Sequence, residues 1–304
     1  MAISRSQLVK ELEPGLNALF GLEYKRYENQ HAEIYATESS DRAFEEEVML
    51  SGFANANVKV EGSGVAYDEA QETYTARYTH DTLALAFSIT EEAIEDNLYD
   101  RLASRYTKAL ARSMSNAKQV KAVTPLIDGL PSTDGYDSGD GVSLFNTSHT
   151  TVSGTAVKNT LTTQADLNET SLEQSLIDIA AMTDERGLRV AARAMKMIIP
   201  SANQFTAERL MKSQGRTGTA DNDINAVVSM GMVPQGYRVN NFLTDTDSWY
   251  LITDVPNGMK MFQRAALKTA MEGDFDTGNV RYKARERYSF GVSDFRGIFG
   301  VEGA

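Results

Sequence analysis

The chain has 304 residues, enough for one large domain or two of ordinary size, with an apolar share of 41% and charged residues at 24%. It contains no cysteine, which excludes disulfides and thiolate metal sites, and its three histidines, His31, His80 and His149, are too scattered to suggest a histidine metal centre. A formal net charge of -12 argues against tight nucleic-acid binding, because that affinity rests on Lys and Arg neutralising phosphates.

The N-terminus is amphipathic and lacks the uninterrupted apolar centre of a signal peptide, and no apolar run is long enough for a membrane span. The chain therefore reads as soluble and intracellular. Leu8, Leu12, Leu16, Leu19 and Phe20 mark an opening helix that Pro14-Gly15 is expected to break. The polar stretch that follows, up to Arg42, has too few apolar residues for a core of its own. It predicts an arm lying on another surface.

From Val58 to Ile89 the texture is that of strands. Tyr74, Ala76 and Tyr78 share one face, Leu83, Leu85, Phe87 and Ile89 alternate in the next run, and Gly62 and Gly64 punctuate the lead-in. The expectation is a long two-stranded excursion, which needs a covering surface because a lone hairpin is marginal in water.

The strongest helical signal comes next. Ile94, Leu98, Leu102, Tyr106, Leu110, Met114 and Ala117 recur at helical spacing. Thr90 is the expected N-cap, Glu and Asp crowd the first turns, and Pro125 is the expected stop. Some thirty residues at ~1.5 Å each give a helix of about 45 Å.

A loop-rich section follows, and then helix and strand alternate. Leu172, Leu176, Ile179 and Met182 mark a helix closed by Gly187; "MKMIIP" is a buried strand, "NQFTAERLMKSQ" a helix, and "YRVNNFL" and "SWYLITD" strands around "TDTD".

The segment "NVRYKARERYSFGV", Asn279 to Val292, splits under a period of two. One face carries Val280, Tyr282, Ala284, Glu286, Tyr288, Phe290 and Val292; the other carries Arg281, Lys283, Arg285 and Arg287. Four cations on one face are either a solvated side or a surface that meets carboxylates, and the second reading is preferred because opposed opposite charges stabilise a sheet. Glu286 must find a cation or donors if buried, or else sit exposed near a strand edge.

Motifs for chemistry are missing. There is no phosphate loop, HExxH or GxSxG, and "DNDINA", Asp221 to Ala226, starts like a calcium loop but has Ala226 where glycine is required. His149 follows a Gly-rich loop without a Ser or Asp at any recognised spacing, so a structural histidine is the better reading. No catalytic, cofactor-binding or metal residue is expected.

The strings "EEEVMLSGFANANVKVEG", "RYTHDTLALAFSITEEAIEDNLYDRL", "GDGVSLFNTSH", "NNFLTDTDSWYLITDVPNGMK" and "GDFDTGNVRYKARERYSFGVSDFRGIFG", in this order, resemble the major capsid proteins of tailed bacteriophages, the Hong Kong 97-type fold, and look like its Mu-like branch. The resemblance implies an α+β chain divided into an N-terminal arm (1–44), an extended loop (45–88), a peripheral domain with a spine helix (89–123), an axial domain (124–255) and a peripheral returning strand (256–304).

It also implies a head protein that assembles as hexamers and pentamers into an icosahedral shell around double-stranded DNA. Such a chain would be built in the bacterial cytoplasm and reside in the virion. The implied partners are further copies of the chain, a separate scaffolding protein, a portal and decoration proteins, with weak non-specific contact to the packaged DNA and none to a membrane. Subunit-interface candidates are Lys59, Arg77, Arg281, Lys283, Arg285, Glu286 and Arg287. Lys59 is the one lysine of the extended-loop region, where some members of the family crosslink Lys to Asn of a neighbour. The alternatives are an encapsulin-like nanocompartment shell and, from another class, a soluble hydrolase.

Overall fold

A computed structural model of the chain describes residues 5–90, 92–93, 99–133, 135–216, 223–274 and 277–304. Its elements in chain order are α1 (Arg5–Arg26), β1 (Ala36–Ser39), β2 (Phe44–Leu50), β3 (Glu72–Thr79), β4 (Asp81–Ile89), α2 (Tyr99–Asp128), β5 (His149–Thr150), β6 (Ala156–Val157), α3 (Glu169–Ala180), β7 (Ala194–Ile199), α4 (Gln204–Lys212), α5 (Ala226–Ser229), β8 (Tyr237–Val239), β9 (Trp249–Thr253), β10 (Met259–Gly273), β11 (Val280–Val292) and β12 (Ile298–Val301). The fold is mixed α+β. Its two larger sheets run β1-β10-β11-β4 and β12-β9-β7-β8, beside a β2-β3 hairpin and a short β5-β6 pair.

Pro14 does not break α1, which runs through it. A proline costs one backbone bond, but Leu16 and Phe20 stay on one face, buried against α2 and the first sheet. Asn17 fixes the docking: its Oδ1 accepts from Thr269 Oγ1 at 2.7 Å and from Tyr282 Oη at 2.8 Å. The arm thus lies on its own chain, and its continuation β1 joins the first sheet parallel to β10.

Pro125 likewise lies inside α2, which ends at Asp128. Leu126 and Leu130, both buried, hold that last turn in the core. The buried stripe of α2 follows Ala103, Thr107, Leu110, Met114, Lys118 and Ala122. Tyr106, expected on it, is 49% exposed at its margin against Phe87. Thr90 Oγ1 accepts from Ala93 N at 3.4 Å, as an N-cap would; the side chains of Ile94, Leu98 and Leu102 lie outside the described set, as do Asp221 and Asn222 of the calcium-like string.

The excursion differs from its expected form. Its strands are β2 and β3, paired antiparallel from Phe44↔Thr79 outward, whereas β4 leaves the hairpin at His80 and pairs with β11 in the first sheet. β12, expected with the returning strands, pairs with β9 in the second sheet instead. α3 closes at Ala180 with Asn168 as its N-cap, and Gly187 stands in a later turn at φ +83°. Among the described residues no helix is long and apolar enough to cross a membrane, and no group of His, Asp and Glu is arranged to hold a metal ion.

Candidate subunit interface

β11 sits inside the first sheet, between β10 and β4. Its Val280, Tyr282, Ala284, Glu286 and Tyr288 are buried, while Arg281, Lys283 and Arg285 are exposed and Arg287 is half-buried. The register adds neighbours that the single-strand pattern could not reveal. Lys268 of β10 stands directly opposite Arg285, and Glu272 opposite Arg281; on β4 the opposed residues are Thr82, Ala84, Ala86 and Ser88.

Arg281 pairs with Asp274, and Arg287 Nη2 donates to Ala43 O at 3.5 Å. Among the described residues, Lys283, Arg285 and Lys268 form no ion pair. Like charges directly opposed across strands are unfavourable. This face therefore carries an uncompensated positive stripe, flanked by side chains too small to shield it.

Glu286 answers differently from the expectation that placed it at a subunit interface. It is 1% exposed, beneath α1 and α2 of its own chain. Its Oε2 accepts from Lys118 Nζ at 3.5 Å and Tyr24 Oη at 3.4 Å, and its Oε1 has no hydrogen-bond partner among the described residues. Burial raises the Glu286 carboxyl above the ordinary range, with Lys118 acting in the opposite sense. Lys118 also lies over the Tyr288 ring, 5.0 Å from its centroid.

Nearby, Gln119 Oε1 accepts from the His31 backbone N–H at 2.9 Å, which turns its Nε2 toward His31 Nδ1 at 3.0 Å. Burial first, and then Lys118, bring the His31 pKa down to about 4.

The hairpin has a fixed base and a bare tip. At the base, Lys260 of β10 pairs with Glu47 of β2 and, at 3.1 Å, with Glu38 of β1. Glu47 also accepts from Ser293, which bonds Tyr78. Tyr78 packs edge-on to Phe262 at 4.8 Å between centroids, and a Cβ at Gly291 would stand 2.6 Å from its ring. Glu45 accepts from Ser40, and Glu46 pairs with Arg77 at 3.8 Å, whose guanidinium covers Phe44. The three carboxylates of "FEEEV", Glu45, Glu46 and Glu47, are thus engaged at the hairpin.

Between the strands, residues 51–71 carry Phe53, Val58, Val60, Val65 and Tyr67 exposed, Val58 at 94% and Tyr67 at 98%. Lys59 is exposed here too. From Phe44 to Thr79, Glu45, Glu46, Glu47, Glu61, Asp68, Glu69 and Glu72 stand against Lys59 and Arg77, a balance of -5.

Two further polar clusters are internal. His149 is wholly buried, stacked on Phe295 at 3.9 Å, with Nδ1 2.6 Å from Asp140 Oδ2 and Nε2 3.1 Å from Asn159 Oδ1. Arg296 pairs with Glu185 at 2.7 Å and Asp294 at 3.2 Å. A substrate has no access to either group, and Ser138 donates to Asp140 instead of to the histidine.

A family model described as "Phage capsid protein" matches residues 72–301. No curated protein matches the chain. Among solved structures, one from Mycobacterium phage Patience aligns over 99% of this chain and 89% of its own at TM-score 0.57 and 11% identity. The capsid of Myoviridae phage XM1 aligns over 89% of each chain at TM-score 0.52 and 12% identity. A virus-like particle from Pyrococcus furiosus aligns over 95% of this chain and 98% of its own at TM-score 0.54 and 10% identity. At such identities these likenesses carry the Hong Kong 97-type fold, and the family model does not reach the finer Mu-like branch. Its match over most of the chain carries the assignment: the chain belongs to the phage capsid protein family, and is a major capsid protein.

Proposed function

We propose that copies of this chain assemble as hexamers and pentamers into a closed icosahedral shell that holds double-stranded DNA and forms the head of a virion. The observation that carries the reading is the family match over residues 72–301, and the bare apolar tip of the hairpin supports it, since apolar side chains exposed to this degree are the mark of a surface awaiting a partner. The role is structural and not catalytic.

In this reading residues 1–44 are the arm, the extension comprises β2, β3 and the loop between them, α2 is the spine, and the β7–β9 region is the axial part at the centre of each ring. Lys59, Arg77, Lys283, Arg285 and Arg287 face neighbouring copies, with Lys268 added to the set. An acidic wall leaves packaged DNA only weakly held. A separate scaffolding protein and a portal complete the assembly.

Electron microscopy of the purified chain, alone and with its scaffold, tests this: closed shells are expected, and a persistent monomer under both conditions overturns it. A second reading, a shell around protein cargo, is favoured by the likeness to the virus-like particle. Nuclease-resistant DNA inside the particles decides for the first, and protein cargo for the second.

A further inference from the structure

β9 of the second sheet passes to β10 of the first through residues 254–258. Pro256 and Asn257 form the tip of a turn there. Pro256 presets its own φ, and Asn257, at φ +60°, takes the left-handed conformation that asparagine tolerates better than most residues. The turn is held from one side only. Asn257 O accepts from Asp294 N and Gly258 O from Ser293 N, both at 3.0 Å. Gly258 also lies backbone to backbone on Gly297: a Cβ at Gly258 would stand 2.7 Å from Gly297 Cα, and one at Gly297 only 2.3 Å from Gly258 Cα. The link between the sheets has no slack at this point.

Asn257-Gly258 is also the one Asn-Gly pair of the chain. Asn257 is exposed, and its side-chain amide bonds to nothing among the described residues. The Gly258 N–H makes no well-formed hydrogen bond among them either. An amide nitrogen without a firm acceptor gives up its proton more readily, and a glycine presents that nitrogen with no Cβ to shield it. A nucleophile and an electrophile therefore stand on adjacent residues, both unprotected.

We infer that Asn257 is a site of spontaneous deamidation. Hydroxide takes the proton of Gly258 N, the nitrogen bonds to Asn257 Cγ, and the Cγ–Nδ2 bond breaks with release of ammonia. The five-membered succinimide that results is opened by one water at either carbonyl. Opening on the side-chain side gives aspartate on an unchanged backbone. Opening on the main-chain side gives isoaspartate, whose backbone runs through Cβ and Cγ. The sum is one water consumed and one ammonia released, with no oxidant or reductant. Isoaspartate lengthens the link by one carbon and moves the oxygen that Asp294 N bonds onto a side branch. Gly258 is fixed against Gly297, so the ties to Ser293 and Asp294 give way.

The full chain, incubated folded at pH 8 and then digested, tests this by mass spectrometry with fragmentation that separates isoaspartate from aspartate. Asn55 and Asn57 are equally exposed but precede Ala56 and Val58, so they serve as internal controls. Residue 257 should convert at least about tenfold faster than either, because only its neighbour lacks a Cβ. The rate should rise with pH, and Asn257→Gln, whose longer side chain closes no five-membered ring, should abolish conversion at that position. An intact Asn257, or conversion no faster than at Asn57, overturns the inference.

Hydrogen exchange reads the structural consequence. In the aged fraction, separated by its added charge, the Ser293 and Asp294 amides should exchange at least about tenfold faster than in fresh chain, as local opening would make them. Asn257→Asp, which adds the charge without the extra carbon, should leave them as in the parent. Unchanged exchange in the isoaspartate-bearing chain, or an equal rise in Asn257→Asp, refutes the loosened link.

Discussion

Replacing Lys118 with methionine tests the buried pair under α1 most directly. Methionine keeps the apolar stem but removes the cation, so Glu286, 1% exposed and with one oxygen already unpartnered, keeps only the 3.4 Å contact from Tyr24. Breaking a buried pair from one side costs about 3–5 kcal/mol. With an unfolding entropy of about 2.1 cal/mol/K per residue, a chain of this length has roughly 0.64 kcal/mol/K in total, so Tm should fall by about 5–8 °C at pH 7.

The pH dependence has a defined sign. A carboxyl whose folded pKa is raised binds its proton more tightly in the folded state. Its favourable contribution is full below the unfolded value, about 4.3, and is lost as pH rises through the folded one. Without Lys118 the Glu286 carboxyl is raised further, so the variant should recover stability relative to the parent as pH falls from 7 toward 5. Lys118→Met/Glu286→Leu should return to within about 1 kcal/mol of the parent or exceed it. Circular-dichroism melts of unassembled subunit read all three. A single-variant loss under about 1 °C, or a double variant no better than the single, would show that Glu286 is already solvated and refute the reasoning.

His31 predicts the opposite slope in the parent. Its folded pKa is lowered from 6.5 to about 4, so its contribution is full above pH 6.5 and is lost as pH falls toward 4, up to roughly 3 kcal/mol; His31→Gln should flatten that part of the stability–pH curve, and an unaltered curve counts against it. Gly291→Ala should cost about 1–3 kcal/mol by driving a methyl into the Tyr78 ring, and proteolysis should then nick the hairpin faster; an unchanged melt contradicts the wedge. Arg285→Ala with Arg287→Ala should hinder assembly while leaving the subunit's Tm nearly unchanged, and equal loss of both would place those cations in the fold instead. Assembly through that face should also weaken between about 0.1 and 1 M salt as the screening length falls from about 10 to 3 Å, which light scattering follows.

The period-two pattern of β11 was legible in the sequence because a strand buried on one side alternates strictly, and the sequence also separated the cations from the apolar face. What Glu286 meets was not legible, since Lys118 lies 168 residues earlier and its partnership depends on α2 crossing the sheet. Both prolines mislead for one reason: local propensity marks Pro14 and Pro125 as breaks, whereas burial of Leu16 and Phe20 beyond Pro14, and of Leu126 beyond Pro125, outweighs one lost bond. β4 was assigned to the hairpin because its alternation resembles that of β3, and nothing in a single strand tells which neighbour it will choose. Lys268 joined the cationic face only through its register opposite Arg285. Whole-family strings reached the fold where periodicity could not.

The way the charges are used separates surfaces meant for this chain from surfaces meant for others. Glu45, Glu46 and Glu47 each find a partner at the hairpin base, and Arg296 is bracketed by Glu185 and Asp294 in the core. A chain that satisfies its internal charges this thoroughly does not leave Lys268, Lys283 and Arg285 uncompensated side by side for lack of carboxylates, since its balance is strongly acidic. Leaving them so weakens the isolated sheet slightly and makes a neighbour's carboxylates worth more than water. A hairpin loosely held at Lys260 and Tyr78 could fold back over its own sheet; in the shell reading proposed above, the firm anchoring of that base keeps the tip for another subunit.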